Sequence, residues 1–256
     1  MNRVVLLASV LLVFCSAPEA TAQIERRTIS VTDRRPVLEA IMEIERRHDV
    51  AISLEDAPLV YADDLEDVTL EVRKDLAEFA ARGEEPPPVI LPRNRSLNLS
   101  YDIDSVTGAP IDLQRTLANL FQAHTDAGNT GTFRVVPGPD MMHVVPVSSR
   151  GAAGTVVAVT PVLDSAISVS LQNTNGLQAL RIFSEAVSMA SGQTVLTATI
   201  PTNLFLNTPI TLDETEGIAR EILIDILAQI PVRLSWKLLY GITPDPFYAL
   251  NIHVVE

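Results

Sequence analysis

Four histidines, His48, His124, His143 and His253, are the obvious acid–base and metal-binding candidates in this chain. They stand singly, with no partner at the short spacing of a zinc-binding helix or turn, so a zinc site would need the fold to gather them. His124 falls on an apolar helix face, where a packed histidine is the expected reading. The acidic run Asp63, Asp64, Glu66 and Asp67, and the pair Asp102 and Asp104 before Gly108, offer the hard oxygen ligands that calcium prefers. Neither follows the spacing of an EF-hand loop, and both read as solvated turn carboxylates. No GxSxG elbow, SxxK pair, GxGxxG fingerprint, phosphate-cradling glycine loop or HExxH helix occurs. A carboxylate pair for glycoside hydrolysis is defined by separation in space, which no spacing in the sequence supplies. No catalytic, cofactor-binding or metal-ligating residue is expected.

Two groups suit binding better than catalysis. Trp236, Tyr240, Phe247 and Tyr248 crowd the last hairpin, where alternate side chains face opposite ways, either into a core or onto a partner surface. The other group is the acidic run, which sits in an apparent insertion and suits a basic partner or a neutral surface loop.

Those residues need elements to hold them, and the first stretch of chain is expected to contribute none. Arg3 supplies a positive start, residues 4–14 are an apolar run interrupted by Ser9 alone, and Ala20, Thr21 and Ala22 form a small-x-small cleavage site before Gln23. Residues 1–22 therefore read as a secretory signal, which implies a periplasmic or secreted protein. The rival is a lipid-modified Cys15, which Phe14 opposes by occupying a position where a lipoprotein signal needs a small residue. Cys15 is the single cysteine, so its removal would exclude disulfides and thiolate chemistry. No later run is long enough for a spanning helix, so no stable membrane insertion is expected. A formal charge of −13 opposes binding to nucleic acid or anionic lipid, and a hydrophobic share of 47% is ample for one large or two small cores.

Along the rest of the chain one pattern occurs twice. Residues 28–32 alternate as a strand, Asp33 and Pro36 open a helix with Val37, Leu38, Ile41, Met42 and Ile44 on its apolar face, and residues 50–54 return as a strand. Residues 97–103 alternate again, Asp112 opens a second helix that ends at Gly128, and residues 133–136 and 141–147 read as a hairpin. The second copy runs through strand 167–171, a helix capped by Asn175 and closed by Gly192, and paired strands 194–198 and 209–213. Asp213 and Glu216 then suggest a capping box for an apolar helix reaching Ile230, and a hairpin of 232–240 with 247–255 ends the pattern. The longer spacing in the first copy maps to an insertion over 56–96, with a helix expected over 65–82 and Pro86, Pro87 and Pro88 marking an extended tail. The expected architecture is α+β: two tandem β-α-β-β-α-β modules, 23–147 and 167–256, each with helices packed on a small mixed sheet. A connecting stretch, 148–166, joins them.

Each copy resembles the secretin and TonB short N-terminal domain group, and the second resembles it more. The residues that carry the likeness are Ile210, Thr211 and Leu212, the helix reaching Ile230, and the closing Leu234, Ser235 and Trp236. The whole chain also resembles exported bacterial proteins with this duplicated arrangement, including the stretch from Ile52 to Thr69 with its acidic run. The resemblance implies a periplasmic module that docks an envelope protein or packs side by side with its neighbours, and it transfers no catalytic residue. No secretin pore or receptor barrel is expected after Glu256, so the resemblance does not carry over ring assembly or signalling. The reading from sequence is an exported interaction or accessory module with an unidentified envelope partner and undetermined oligomeric state. The alternative is a small-ligand binder or hydrolase that uses a cleft between the modules.

Overall fold

A computed structural model describes residues 24–255, and the expected signal segment lies outside the described residues. The fold is α+β, with helices packed on mixed sheets.

In the first copy, β1 (Ile24–Asp33) leads into α1 (Pro36–His48) and then β2 (Ile52–Glu55). Pro36 starts α1, where its missing N–H costs nothing, and Asp49 ends it in the left-handed conformation. The insertion follows as β3 (Leu65–Asp67), α2 (Thr69–Val72), α3 (Leu76–Arg82) and β4 (Ile90–Pro92). The single helix expected over 65–82 is therefore a short strand and two short helices. Leu65, Glu66 and Asp67 pair with Pro92, Leu91 and Ile90, which commits the start of that stretch to a strand. Then come β5 (Arg95–Asp104), α4 (Leu113–Asp126), β6 (Thr132–Pro137) and β7 (Met142–Arg150). Asp112 caps α4 by accepting the Arg115 N–H at 2.9 Å. Part of the expected connecting stretch is also ordered in strands: Ser148, Ser149 and Arg150 belong to β7, and β8 (Val156–Ala158) folds back on them.

The second copy repeats this order as β9 (Ala166–Asn175), α5 (Gly176–Ser191), β10 (Thr194–Thr197), a short α6 (Thr202–Asn207), β11 (Pro209–Ile218), α7 (Ala219–Leu227), β12 (Leu234–Gly241) and β13 (Phe247–Val254). Asn175 caps α5 through the Gln178 N–H at 2.9 Å, and Gly192 closes it at a φ of +70°, a value that favours a residue without a Cβ. The expected capping box at Asp213 and Glu216 is corrected. Glu216 still pairs with Ser168 in β11, and α7 begins only at Ala219.

Sheet pairing shows how exact the duplication is. β1 pairs antiparallel with β5, and β9 with β11. β2 runs parallel to β7, which pairs antiparallel with β6; β10 runs parallel to β13, which pairs antiparallel with β12. The expected pairing of 194–198 with 209–213 is thus replaced in both copies by one rule. The strand after the first helix joins the closing hairpin, and the strand before the second helix joins the first strand.

The two three-stranded sheets are fused. β12 pairs parallel with β2, giving the continuous path β10-β13-β12-β2-β7-β6. Each copy keeps its own core: Ile41, Ile44, Leu54, Leu117 and Leu120 anchor one, and Phe183, Phe205, Ile226, Trp236 and Leu250 the other. In the joint, Lys237 lies opposite Leu54 and Leu238 opposite Glu55. Leu54 belongs to the first core and Leu238 to the second, and paired residues of parallel strands point the same way. The helices of the two copies therefore cover opposite faces of the shared sheet.

Candidate functional site

The joint between the copies holds the densest buried polar chemistry. On the face covered by α1, the Lys237 ammonium donates to Glu45 Oε2 at 3.0 Å and Oε1 at 3.1 Å, to the Ile52 carbonyl at 2.6 Å and to Ser235 Oγ at 3.3 Å. Glu45 Oε1 also accepts the Ile52 N–H at 2.8 Å. Burial pushes the Glu45 carboxyl up, but donors from His253, Lys237 and Ile52 outweigh it and hold the group below the ordinary carboxylate range. On the face covered by α7, Glu55 accepts the Val162 N–H and meets Arg220 at 3.3 Å, and Arg220 also pairs with Asp164. Burial dominates here: Glu55 is raised to about 7 despite Arg220. A third link runs from Arg35 to Asp56 at 2.8 Å and to the Tyr240 carbonyl.

His143 sits in the same seam. Its Nδ1 is 2.8 Å from Ser53 Oγ and its ring lies 5.2 Å from that of Trp236, while Nε2 is buried without a partner. Burial, then the nearby Arg220, lowers it to about 4, so it stays neutral. A Cβ on Gly138 would meet His143 Nε2 at 2.5 Å, which explains a glycine in that turn.

Above the Glu45–Lys237 pair lies a groove of about 620 Å³ lined by Glu39, Glu43, Glu45, Arg46 and His253 among others. Ser235 Oγ is 2.7 Å from His253 Nε2, which resembles a serine–histidine pair. It cannot work as a relay: Ser235 is 0% exposed, and the same Nε2 is the atom facing Lys237 at 3.5 Å and Glu45 at 3.4 Å. A catalytic histidine needs one nitrogen for the nucleophile and the other for its orienting acid. The groove can hold a polar or ionic small molecule but presents no activated nucleophile. Among the described residues, no three His, Cys, Asp or Glu side chains gather as a metal site.

The expected interaction residues take other places. Trp236, Tyr240 and Tyr248 are buried in the second core, whereas Phe247, next to Tyr248 on β13, faces the other side of the sheet and is half-buried, so three of the four aromatics fill a core. In the acidic run, Asp64 is buried and paired with Arg150 at 3.0 Å and Arg95 at 3.5 Å, Glu66 is bonded to Arg34, and Asp67 accepts the Thr69 N–H at 2.8 Å. Asp63 is exposed, with the Tyr61 hydroxyl donating to it at 2.7 Å. The run is tied down by its own copy and is not a free anionic strip.

Sequence reasoning missed Glu45, Glu55, Arg220 and Lys237. Nothing in the alternation of residues 232–240 sets Lys237 apart from an outward polar residue. Glu45 left a signal: it continues the stripe of Ile41 and Ile44, where a lone carboxylate asks for a buried cation.

The path of the fused sheet ends on β6 and β10, each with one strand neighbour. No protein-family model, curated protein or solved structure matches the chain. Among the described residues, no helix is long and apolar enough to cross a membrane.

Proposed function

We propose that this chain is an exported, non-catalytic interaction or accessory module of the bacterial envelope, built from a duplicated unit similar to the secretin and TonB short N-terminal domain. Export rests on the charged, apolar and small-residue pattern of residues 1–22. The observation that carries the interaction reading is the joint itself. One module of this type docks another by laying a strand on its open edge and locking it with side-chain pairs, and the fused sheet still ends on unpaired edges. Adding a strand to an exposed edge is a common way for a domain to hold a polypeptide, because the backbone supplies the affinity. Photo-crosslinkers placed on the exposed surface should yield one adduct of defined mass in the envelope of the native cell. Turnover of an ester, amide or glycoside by the purified protein would sink the non-catalytic part.

A second reading, a small-ligand binder, is favoured by the polar groove at the joint with His253 and Glu45 at its base. Calorimetry with small anions and amines separates the two: a ligand displaced by His253→Ala would favour the groove.

A further inference from the structure

The two ends of the fused sheet are not alike. β6 carries Arg134 near its middle, 3.8 Å from Asp164, and ends in Pro137, which has no N–H to give. A charge and a proline are the usual means of keeping an edge from pairing. β10 has neither. From Thr194 to Ile200 it is uncharged, its Leu196 side chain is 49% exposed, and beside it runs a groove of about 920 Å³ against α5, lined by Leu177, Ser184 and Ile200 among others.

β10 is also the counterpart of the edge that is filled inside the molecule. Asp49 and Gly192 end α1 and α5 in the same left-handed conformation. At one constant offset from them, Glu45 accepts the N–H of Ile52 at 2.8 Å, and Ser188 Oγ accepts the N–H of Val195 at 2.8 Å. The same offset places Thr197 where Leu54 receives Lys237. Ala198 donates to Leu250 on β13, so the backbone groups of Thr197 point the other way, toward open solvent, as those of Leu54 point toward β12. The chemistry of the edge has changed while its geometry has not. Where β2 offers the Glu45 carboxylate, β10 offers the Ser188 hydroxyl, and where β2 carries Glu55, β10 is followed by Ala198.

We infer that the groove between α5 and the β10 edge binds an extended partner strand that runs parallel to β10 and is uncharged at the residue opposite Thr197. The inference rests on the interaction reading above and deepens it. The occupant is neutral at that residue because an ammonium or guanidinium laid over Ser188 would be desolvated against a hydroxyl, while the carboxylate that lines the groove, Glu185, is exposed and paired with Arg181 at 3.6 Å. For the same reason it is not β6 of a second copy, whose Arg134 takes the position of Lys237. Its contact with Leu196 and Leu177 is apolar.

The probe is a fluorescein-labelled heptapeptide with the sequence of residues 234–240, compared with the same peptide carrying Lys237→Ser. By anisotropy, the serine peptide should bind the intact protein at least about tenfold tighter than the lysine peptide, the cost of an unpaired buried charge. Ser188→Glu in the protein should reverse the order. Thr197→Pro, which removes the outward N–H together with the hydroxyl that meets Ser184 Oγ at 3.1 Å, should abolish both, whereas Thr197→Val, which removes the hydroxyl and keeps the N–H, should retain them with both variants folded. Absence of binding, equal binding by Thr197→Pro, or an unreversed order with Ser188→Glu would overturn the site. Self-association at micromolar concentration that is lost in Arg134→Glu would place a second copy on the edge and overturn the neutral strand. An envelope protein crosslinked equally to parent and Thr197→Pro proteins would overturn this site and leave the interaction reading standing; no crosslink and no peptide binding would end both.

Discussion

β2 and β10 hold the same position in the two copies and meet opposite fates. β2 is sealed by β12 and flanked by Glu45 and Glu55, each with a cation from the other copy. β10 is open, with Ser188 and Ala198 in those places. A backbone edge gives affinity for any strand, whereas the side chains beside it decide which strand is accepted. Buried ion pairs contribute little net stability but penalise a wrong partner strongly, so they suit the task of fixing register and identity at the joint. In this chain the acids flank the edge filled by an internal strand, and Ser188 and Ala198 stand in their places at the open one.

The comparison breaks most visibly if a core that supports one edge is opened. Ile222 and Ile226 are buried in the second core, and either one changed to Asp should cost about 4 kcal/mol or more, since a charge is buried as an apolar contact is lost. Urea unfolding would measure it, and near-parental stability would deny that α7 is packed as described. Next is the joint. Lys237→Ala leaves Glu45 buried without its cation and should cost about 3–5 kcal/mol, while Glu45→Met with Lys237→Met should restore most of it. The equivalent change at the open edge, Ser188→Ala, gives up the bonds to the Val195 N–H at 2.8 Å and to the Ser184 carbonyl at 2.7 Å and should cost about 1–2 kcal/mol. A Lys237→Ala effect as small as that of Ser188→Ala would erase the distinction between the edges.

Acid–base behaviour sharpens the same contrast, because the joint holds two groups, Glu55 and His143, whose shifts fall between pH 4 and 7. Glu55 is raised from 4.5 to about 7, so its contribution is complete below 4.5 and is lost as pH rises through 7. His143 is lowered from 6.5 to about 4, so its contribution is complete above 6.5 and is lost as pH falls through 4. Each term is on the order of 3 kcal/mol, and over their shared window they oppose one another. These two terms offset one another between about pH 4.5 and 6.5, leaving the parent the rise with pH contributed by His48 and His124, both lowered chiefly by burial. Glu55→Gln should steepen that rise across the window and His143→Asn should reduce it, both read from melting temperature. Identical profiles for the two variants would show that these groups do not titrate with the joint.

The smallest effects belong to the insertion. Asp64→Asn gives up pairs with Arg150 and Arg95 and should cost about 1–2 kcal/mol, whereas Asp63→Asn at the exposed end should stay within about 0.5 kcal/mol. Chemical denaturation resolves the pair.

Much of the fold was legible because it is written in periodicity. The alternation of Leu97, Leu99, Tyr101 and Ile103, the caps at Asp112 and Asn175, and the stop at Gly192 are local signals, and each acts as expected. The α+β class follows from them. Strand partners were not legible: nothing local in residues 194–198 says that they join β13 and not β11. The candidate sites were obscured by the same limit. Trp236 and Tyr240 look like exposed binding aromatics only until α7 is laid over them, and the acids of 63–67 look free only until Arg34, Arg95 and Arg150 arrive from elsewhere. The partners of Glu45 and Lys237 were not legible because the contact that buries them spans 192 positions.

That span sets an order of events during synthesis. Glu45 and Lys237 are 192 positions apart, so the first copy is complete long before its sealing strand exists. Throughout that interval β2 presents a bare edge, and contacts of such long sequence separation are slow to form. Glu45 and Glu55, still without their cations, are then two solvated negative charges beside an otherwise sticky strand, which is how gatekeeper residues keep nascent edges from pairing with other chains. The same carboxylates that later fasten the joint thus guard it while it waits, and the last strands to emerge convert the guard into the lock.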